Sequence, residues 1–173
     1  MRLLLSFILA LLLNSCSDMK PEEYKNTKPI IKIEEYFKGN VKAWGMLQGR
    51  SGKVKRQFTA NMTGSFDGKN LILDEDFSWN DGEIQERKSI IKKLDDHNYE
   101  GTAHDVVGVA KGSSYGSAFK FEYSLLIPFN DKKIKVKFDD WIFKQDNRVA
   151  INKAIITKFG FKVGELTVFF LKD

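Results

Sequence analysis

Five charged or amide side chains stand where an apolar residue would fit the pattern better. Arg56 lies between Val54 and Phe58, and Glu75 between Leu73 and Phe77. Arg87 lies between Gln85 and Ile91, Asp140 between Phe138 and Ile142, and Asn152 between Ala150 and Ala154. On a strand, residues two apart share a face. These five therefore point the same way as the greasy residues around them. A buried charge is costly unless it is paired. The five residues have two compatible uses. They can bind one another as an internal network that fixes strand register, or they can meet the polar head of a ligand. Glu75 and Asp140 would also suit acid–base work if their environments drove their pKa values apart. The other candidates are weaker. His97 and His104 lack the spacing of metal ligands. His104-Asp105 reads as a surface turn. Gly108, Gly112 and Gly116 read as a flexible loop, since no helix signal follows them. Asp74-Glu75-Asp76 and Asp139-Asp140 alternate between faces and read as solvated or salt-bridged. No nucleophile elbow, phosphate loop or dinucleotide fingerprint is present, and no metal or cofactor is expected.

The single cysteine is the second chemical signal. Arg2 precedes the apolar run 3–13, which is followed by Asn14, Ser15 and Cys16. A run this short suits a signal peptide, because a spanning helix needs roughly 20 apolar residues. Leu13-Asn14-Ser15-Cys16 resembles a lipobox. The resemblance implies diacylglyceryl transfer to the Cys16 thiol, cleavage before it, and acylation of the new amine, with palmitate among the acyl chains. Several chains on one residue anchor stably, where one alone is marginal. Ser17, where Asp would resemble an inner-membrane retention signal, leans the expectation towards the outer membrane, facing the periplasm. Residues 1–15 are thus expected to be a signal peptide. Residues 16–29, polar and carrying two prolines, are expected to be the lipidated cysteine and its tether.

The remaining chain, 30–173, has to hold the polar residues in place. The 173 residues include 42% hydrophobic and 29% charged types, which is globular rather than disordered composition. The net charge of +5 is dispersed and interleaved with acids, so no nucleic-acid stripe stands out. With one cysteine, no internal disulfide can form and the core alone must hold the fold. Residues 30–37 suit a short lead-in helix. Alternation then predicts strands at 41–47, 54–63, 70–79, 84–94, 99–104, 106–111, 117–127, 133–143, 149–159 and 163–171. Asn-, Asp- and Gly-rich tips between them suit tight hairpins. Phe119, Phe121, Tyr123, Leu125 and Ile127 share one face, opposite Lys120, Glu122 and Ser124. Sequential hairpins with one greasy side close into an antiparallel up-and-down β-barrel, with room inside for side chains or one small ligand.

The stretches 36–45, 73–77, 99–103, 105–108, 138–141 and 158–160 resemble a family of uncharacterised bacterial lipoproteins whose domain has no assigned function. The resemblance runs from about residue 30 onward and implies no catalytic residues. A more distant resemblance is to lipocalins, where a short helix leads into a strand bearing Gly-x-Trp. Here Gly39 and Trp44 are further apart. The lipocalin-like, calycin-like fold would place Trp44 as a plug at one end.

Three functions follow as expectations. The first is a lipid-anchored envelope protein whose barrel binds a small amphipathic or lipid-like ligand. Phe58, Phe77, Phe119, Phe121, Tyr123 and Trp141 would form its wall, and Arg56 and Arg87 would meet a negative head. The second is a structural or interaction lipoprotein with a filled barrel. The third is an enzyme on a lipid-like substrate, using Glu75 and Asp140.

Overall fold

The structure, a computed structural model, describes residues 19–129 and 132–173. Cys16 and the signal segment lie outside the described residues. A helix α1 (Ile33–Tyr36) leads into ten strands: β1 (Gly39–Gly49), β2 (Val54–Phe66), β3 (Asn70–Trp79), β4 (Ile84–Lys93), β5 (Asn98–Ala103), β6 (Ala110–Tyr115), β7 (Ala118–Phe129), β8 (Lys132–Lys144), β9 (Val149–Lys158) and β10 (Phe161–Lys172). Each pairs antiparallel with the next. β1 closes onto β10, from Val41 opposite Lys172 to Gly49 opposite Gly164. The fold is a closed, lipocalin-like antiparallel barrel.

Alternation dictates which side chains go inside. On β2, Phe58, Ala60 and Met62 are buried while Thr59 and Asn61 are exposed. On β9, Ala150, Asn152, Ala154 and Ile156 are buried between exposed neighbours. The same rule turns Trp44 outwards, because Val41 and Ala43 point in. Trp44 therefore packs beside Phe169 on the outer wall and plugs nothing.

The plug is α1 itself. Ile31, Ile33, Tyr36 and Phe37 are all buried at the end where β1 starts. Each is worth roughly 1.5–3 kcal/mol in buried apolar surface, as an upper bound. Polar contacts seat the plug. Ser114 Oγ donates to the Ile31 carbonyl (2.7 Å) and Tyr36 Oη to the Arg148 carbonyl (2.8 Å). The buried Glu34 carboxylate accepts from Lys93 Nζ (2.8 Å) and Tyr99 Oη (2.9 Å). Three turns at this end repeat one device. Asp67, Asp95 and Asp146 each accept the backbone N–H groups two and three residues on, at 2.6–2.8 Å.

Two further sequence expectations need correction. The segment 21–29 is no free tether. Pro21 is buried in a 3-10 turn (Pro21–Tyr24), the Tyr24 ring lies 5.4 Å from Phe143, and the Ser117 N–H donates to Thr27 Oγ1 (2.9 Å). The sixth strand lies at Ala110–Tyr115, not 106–111, and runs through Gly112. Gly112 is needed because the Phe121 ring lies over it; an added Cβ would sit 2.5 Å from that ring.

Gly64 on β2 faces the plug. A Cβ there would meet the Phe37 carbonyl oxygen at 1.8 Å. Gly64→Ala should lower the unfolding free energy by about 1–3 kcal/mol, as overpacking does. An unchanged urea midpoint would mean that α1 does not sit on β2.

Candidate functional site

Inside the barrel a cavity of about 240 Å³ remains. That is slightly below the ~300–1,000 Å³ typical of ligand pockets. Its walls are apolar, with Phe58, Met62, Leu73, Phe77, Phe119, Phe121, Ile142 and Phe170 among them, and Phe37 of the plug reaches it from below. Aromatic rings fit because glycines make space for them. Phe58 lies over Gly45, and Phe121 lies over both Gly101 and Gly112.

Polar side chains form a belt around this cavity in two clusters. In the first, Glu75 on β3 sits directly opposite Arg87 on β4. Arg87 Nη1 donates to Glu75 Oε2 (2.8 Å) and to Ser89 Oγ, and Ser89 Oγ in turn donates to Glu75 Oε2 (2.8 Å). Arg87 Nε also contacts both carboxylate oxygens of Asp105 at 3.2 Å. The two carboxylates hold the guanidinium well above its ordinary pKa against the effect of burial. Arg87 is therefore a fixed cation.

In the second cluster, Tyr123 Oη donates to Asp140 Oδ2 (2.7 Å). Asn152 Nδ2 donates to Asp140 Oδ1 and to the Trp141 carbonyl (3.0 Å). Burial, the largest cause, pushes the Asp140 carboxyl above the usual carboxylate range; the hydrogen bonds from Tyr123 and Asn152 oppose it. Burial likewise raises the Tyr123 phenol. A desolvated carboxyl of this kind gives or takes a proton, or pairs with a donor.

The structure thus brings together Glu75, Arg87, Phe119, Phe121, Tyr123, Asp140 and Asn152 from the sequence expectation, with Phe58 and Phe77. It excludes two residues. Arg56 lies at the barrel mouth, bound to Asp81 (2.7 Å) and Glu83 (2.8 Å), with its guanidinium 4.0 Å from the Trp79 ring centre. Its face was right but its height was wrong. Trp141 follows Asp140 and so points outwards, where Tyr24 and Phe143 cover it. Two partners were missed. Ser89 is in phase with Arg87 and Ile91, a signal available in the sequence. Asp105 lies outside any strand, and only the fold shows it.

Asp105 also marks a seam. Pairing of β4 with β5 ends at Ser89 opposite Ala103. Beyond it, the loop 104–109 pairs instead with β7, through Val107 N–H to the Ser124 carbonyl (2.8 Å) and Leu126 N–H to the Asp105 carbonyl (3.1 Å). Across this seam the Arg87–Asp105 ion pair joins the two sides. Among the described residues no group of three His, Cys, Asp or Glu could hold a metal ion, and no helix is long and apolar enough to cross a membrane.

The chain belongs to the family described as "Protein of unknown function (DUF3833)", which it matches over residues 10–172. No curated protein matches it. Among solved structures it is similar to the S-type phycobiliprotein lyase of Guillardia theta. The TM-score is 0.62 at 10% identity, covering 90% of this chain and 98% of that one. It is also similar to a protein of unknown function of the DUF3598 family from Nostoc punctiforme. There the TM-score is 0.52 at 9% identity, covering 85% of this chain and 51% of that one. At these identities the likeness is one of fold.

The raised Asp140 carboxyl has a stability consequence. Between the unfolded value of about 3.9 and the higher folded value, the native state binds more protons than the unfolded state, so this group's contribution falls as pH rises. The stability of the parent relative to Asp140→Asn should therefore be highest in acid and decline towards neutrality. Urea unfolding of both chains across that range checks it. A difference independent of pH would show that Asp140 is not desolvated.

Proposed function

We propose that this chain is a lipoprotein of the bacterial cell envelope whose barrel binds one small amphipathic ligand, with a polar end that donates hydrogen bonds or is cationic. The observation that carries the reading is the cavity: apolar walls, one plugged end and a belt of fixed polar groups. A small guest in such a site buries its apolar part and is oriented by a few convergent polar contacts.

The sign of the belt narrows the guest. Its one guanidinium is committed to Glu75 and Asp105, and Arg56 is committed at the mouth. Among the described residues, no cation of the belt is left to receive an anionic head. The acceptors available are Asp140 and Glu75, so an ammonium or a donor-rich head fits and a carboxylate or sulfonate does not.

Fluorescence titration with 1-aminoanthracene tests this reading, with 1-anilinonaphthalene-8-sulfonate as the anionic counterpart. The amine should bind with saturable enhancement and the sulfonate should not. Val168→Phe adds a ring to the cavity wall and should weaken amine binding by about tenfold or more, equivalent to about 1.4 kcal/mol. Preference for the sulfonate, or binding indifferent to Val168→Phe, would remove the cavity from consideration.

The anchor rests on Leu13-Asn14-Ser15-Cys16 after the apolar run, and outer-membrane placement rests on Ser17. In bacteria fed labelled palmitate, the parent chain should take up label and sediment with membranes. Cys16→Ser should take up none. Equal labelling of both chains would place acylation elsewhere.

A further inference from the structure

Besides the cavity, the end of the barrel opposite α1 carries its own signal. Four junctions between strands reach that end: 49–55, 79–84, the meeting of β7 and β8 at Phe129 and Lys132, and 158–163. Their tips hold the most exposed large apolar side chains among the described residues: Phe159 (89%), Phe161 (77%), Ile84 (68%) and Phe129 (58%). Single exposed apolar residues are ordinary, but aromatics gathered at one end of a molecule mark an interaction surface.

The backbone at Phe159 strengthens the case. Phe159-Gly160 is a two-residue turn with φ of 52° and 82°. Such turns favour Asn-Gly or Gly-Gly, and a bulky residue at positive φ is strained. The strained position holds a fully projecting phenyl ring rather than the asparagine that would relieve it.

Charge identifies the occupant. Lys53 and Lys55 lie on one of these hairpins, Lys132 and Lys133 on another, and Lys158 and Lys162 on a third. The acids described there are Glu83 and Asp81, both turned onto Arg56, and Glu165 beside the third hairpin, which pairs with Lys162. At the plugged end the hairpin turns balance: Asp67, Asp95, Asp96 and Asp146 against Lys69, Lys93, Lys144 and Arg148. The basic excess thus coincides with the projecting rings. Lysines around exposed aromatic tips suit a surface that is anionic outside and greasy beneath, where the rings enter the headgroup layer and the ammonium groups meet phosphates.

We propose that this rim docks on an anionic lipid bilayer through Phe159, Phe161 and Phe129, with Lys158 and its neighbours on the headgroups. The proposal does not depend on whether the cavity holds a ligand. It also differs from attachment by Cys16, because the N-terminal segment packs at the plugged end, beside Ser117 and Phe143.

The test uses the full chain bearing Phe159→Trp, mixed with vesicles of phosphatidylethanolamine and phosphatidylglycerol whose acyl chains carry bromine. Bromine quenches tryptophan on contact, so the difference from the parent reads the rim alone. The expected result is a blue shift and at least about twofold extra quenching. Lys53→Gln and Lys158→Gln should each weaken the vesicle affinity by about fivefold, the equivalent of about 1 kcal/mol per surface-proximal lysine. Three outcomes would overturn the proposal: no extra quenching in a chain that melts like the parent, equal quenching on uncharged phosphatidylcholine vesicles, or a dimer abolished by Phe159→Ser with Phe161→Ser. The last would assign the rim to a second copy of the chain.

Discussion

Closure of β1 onto β10 is the constraint on which the rest of the molecule depends. A ring has no outer sheet edge, and backbone pairing lapses only at the seam, where β4 before Ser89 has no neighbour on its β5 side. A ring of ten strands is also wider than a ring of eight, whose interior side chains just fill. This barrel fills the excess with large parts. Phe58 and Phe121 lie flat across the wall, which is possible only because Gly45, Gly101 and Gly112 offer no Cβ. Helix α1 fills one end. A second apolar group, Val136, Phe138, Ala154 and Ile156, fills the interior along β8 and β9 towards the other end. The cavity is the space these pieces leave, and the polar belt borders it.

That belt is arranged around a single cation. Arg87 faces Glu75 across β3 and β4, where register puts them directly opposite, and reaches Asp105 beyond the last paired residue of β4 and β5. Removing one member of such a set leaves a buried charge uncompensated, which costs far more than the intact set contributes. The ion pairs therefore restrict how the strands can slip. They also close with side chains a stretch of wall that backbone pairing leaves open. Asp140, on the other side of the cavity, has no cation within hydrogen-bond reach among the described residues. It is held by a phenol and an amide, so it is the belt's least committed acceptor and the natural partner for a donor brought in by a guest.

Much of this was legible in the sequence, because period-two alternation is a local property. It located nine of the ten strands, the lead-in helix and the inward phase of Glu75, Arg87, Asp140 and Asn152. What alternation lacks is height along the barrel and everything outside strands. Arg56 has the right phase but sits at the mouth, where Asp81 and Glu83 of the next hairpin reach it. Trp141 is apolar and next to a cavity residue, yet adjacency on a strand means the opposite face. Asp105 sits in a loop that read as a surface turn, and only the departure of the chain from β4 brings it to Arg87. The segment 21–29 read as linker because it is polar, although Pro21 and Tyr24 are enough to fasten it.

The two ends of the barrel are chemically unlike, and this gives the molecule a direction. One end is plugged by α1, stitched by aspartate-capped turns and balanced in charge. The other is basic and tipped with phenyl rings. A lipid on Cys16 would act at the first end, since the four residues from there to Lys20 reach at most ~14 Å even when fully extended. A twelve-residue strand tilted by ~40° rises roughly 30 Å. The tether is therefore too short to carry an upright barrel over so that its rim meets the bilayer that holds the lipid. An anchored barrel must either lie on its side or present the rim to whatever faces that bilayer. A surface built of lysine and projecting phenylalanine is poorly suited to remaining in open solvent, and this favours a second surface opposite the first.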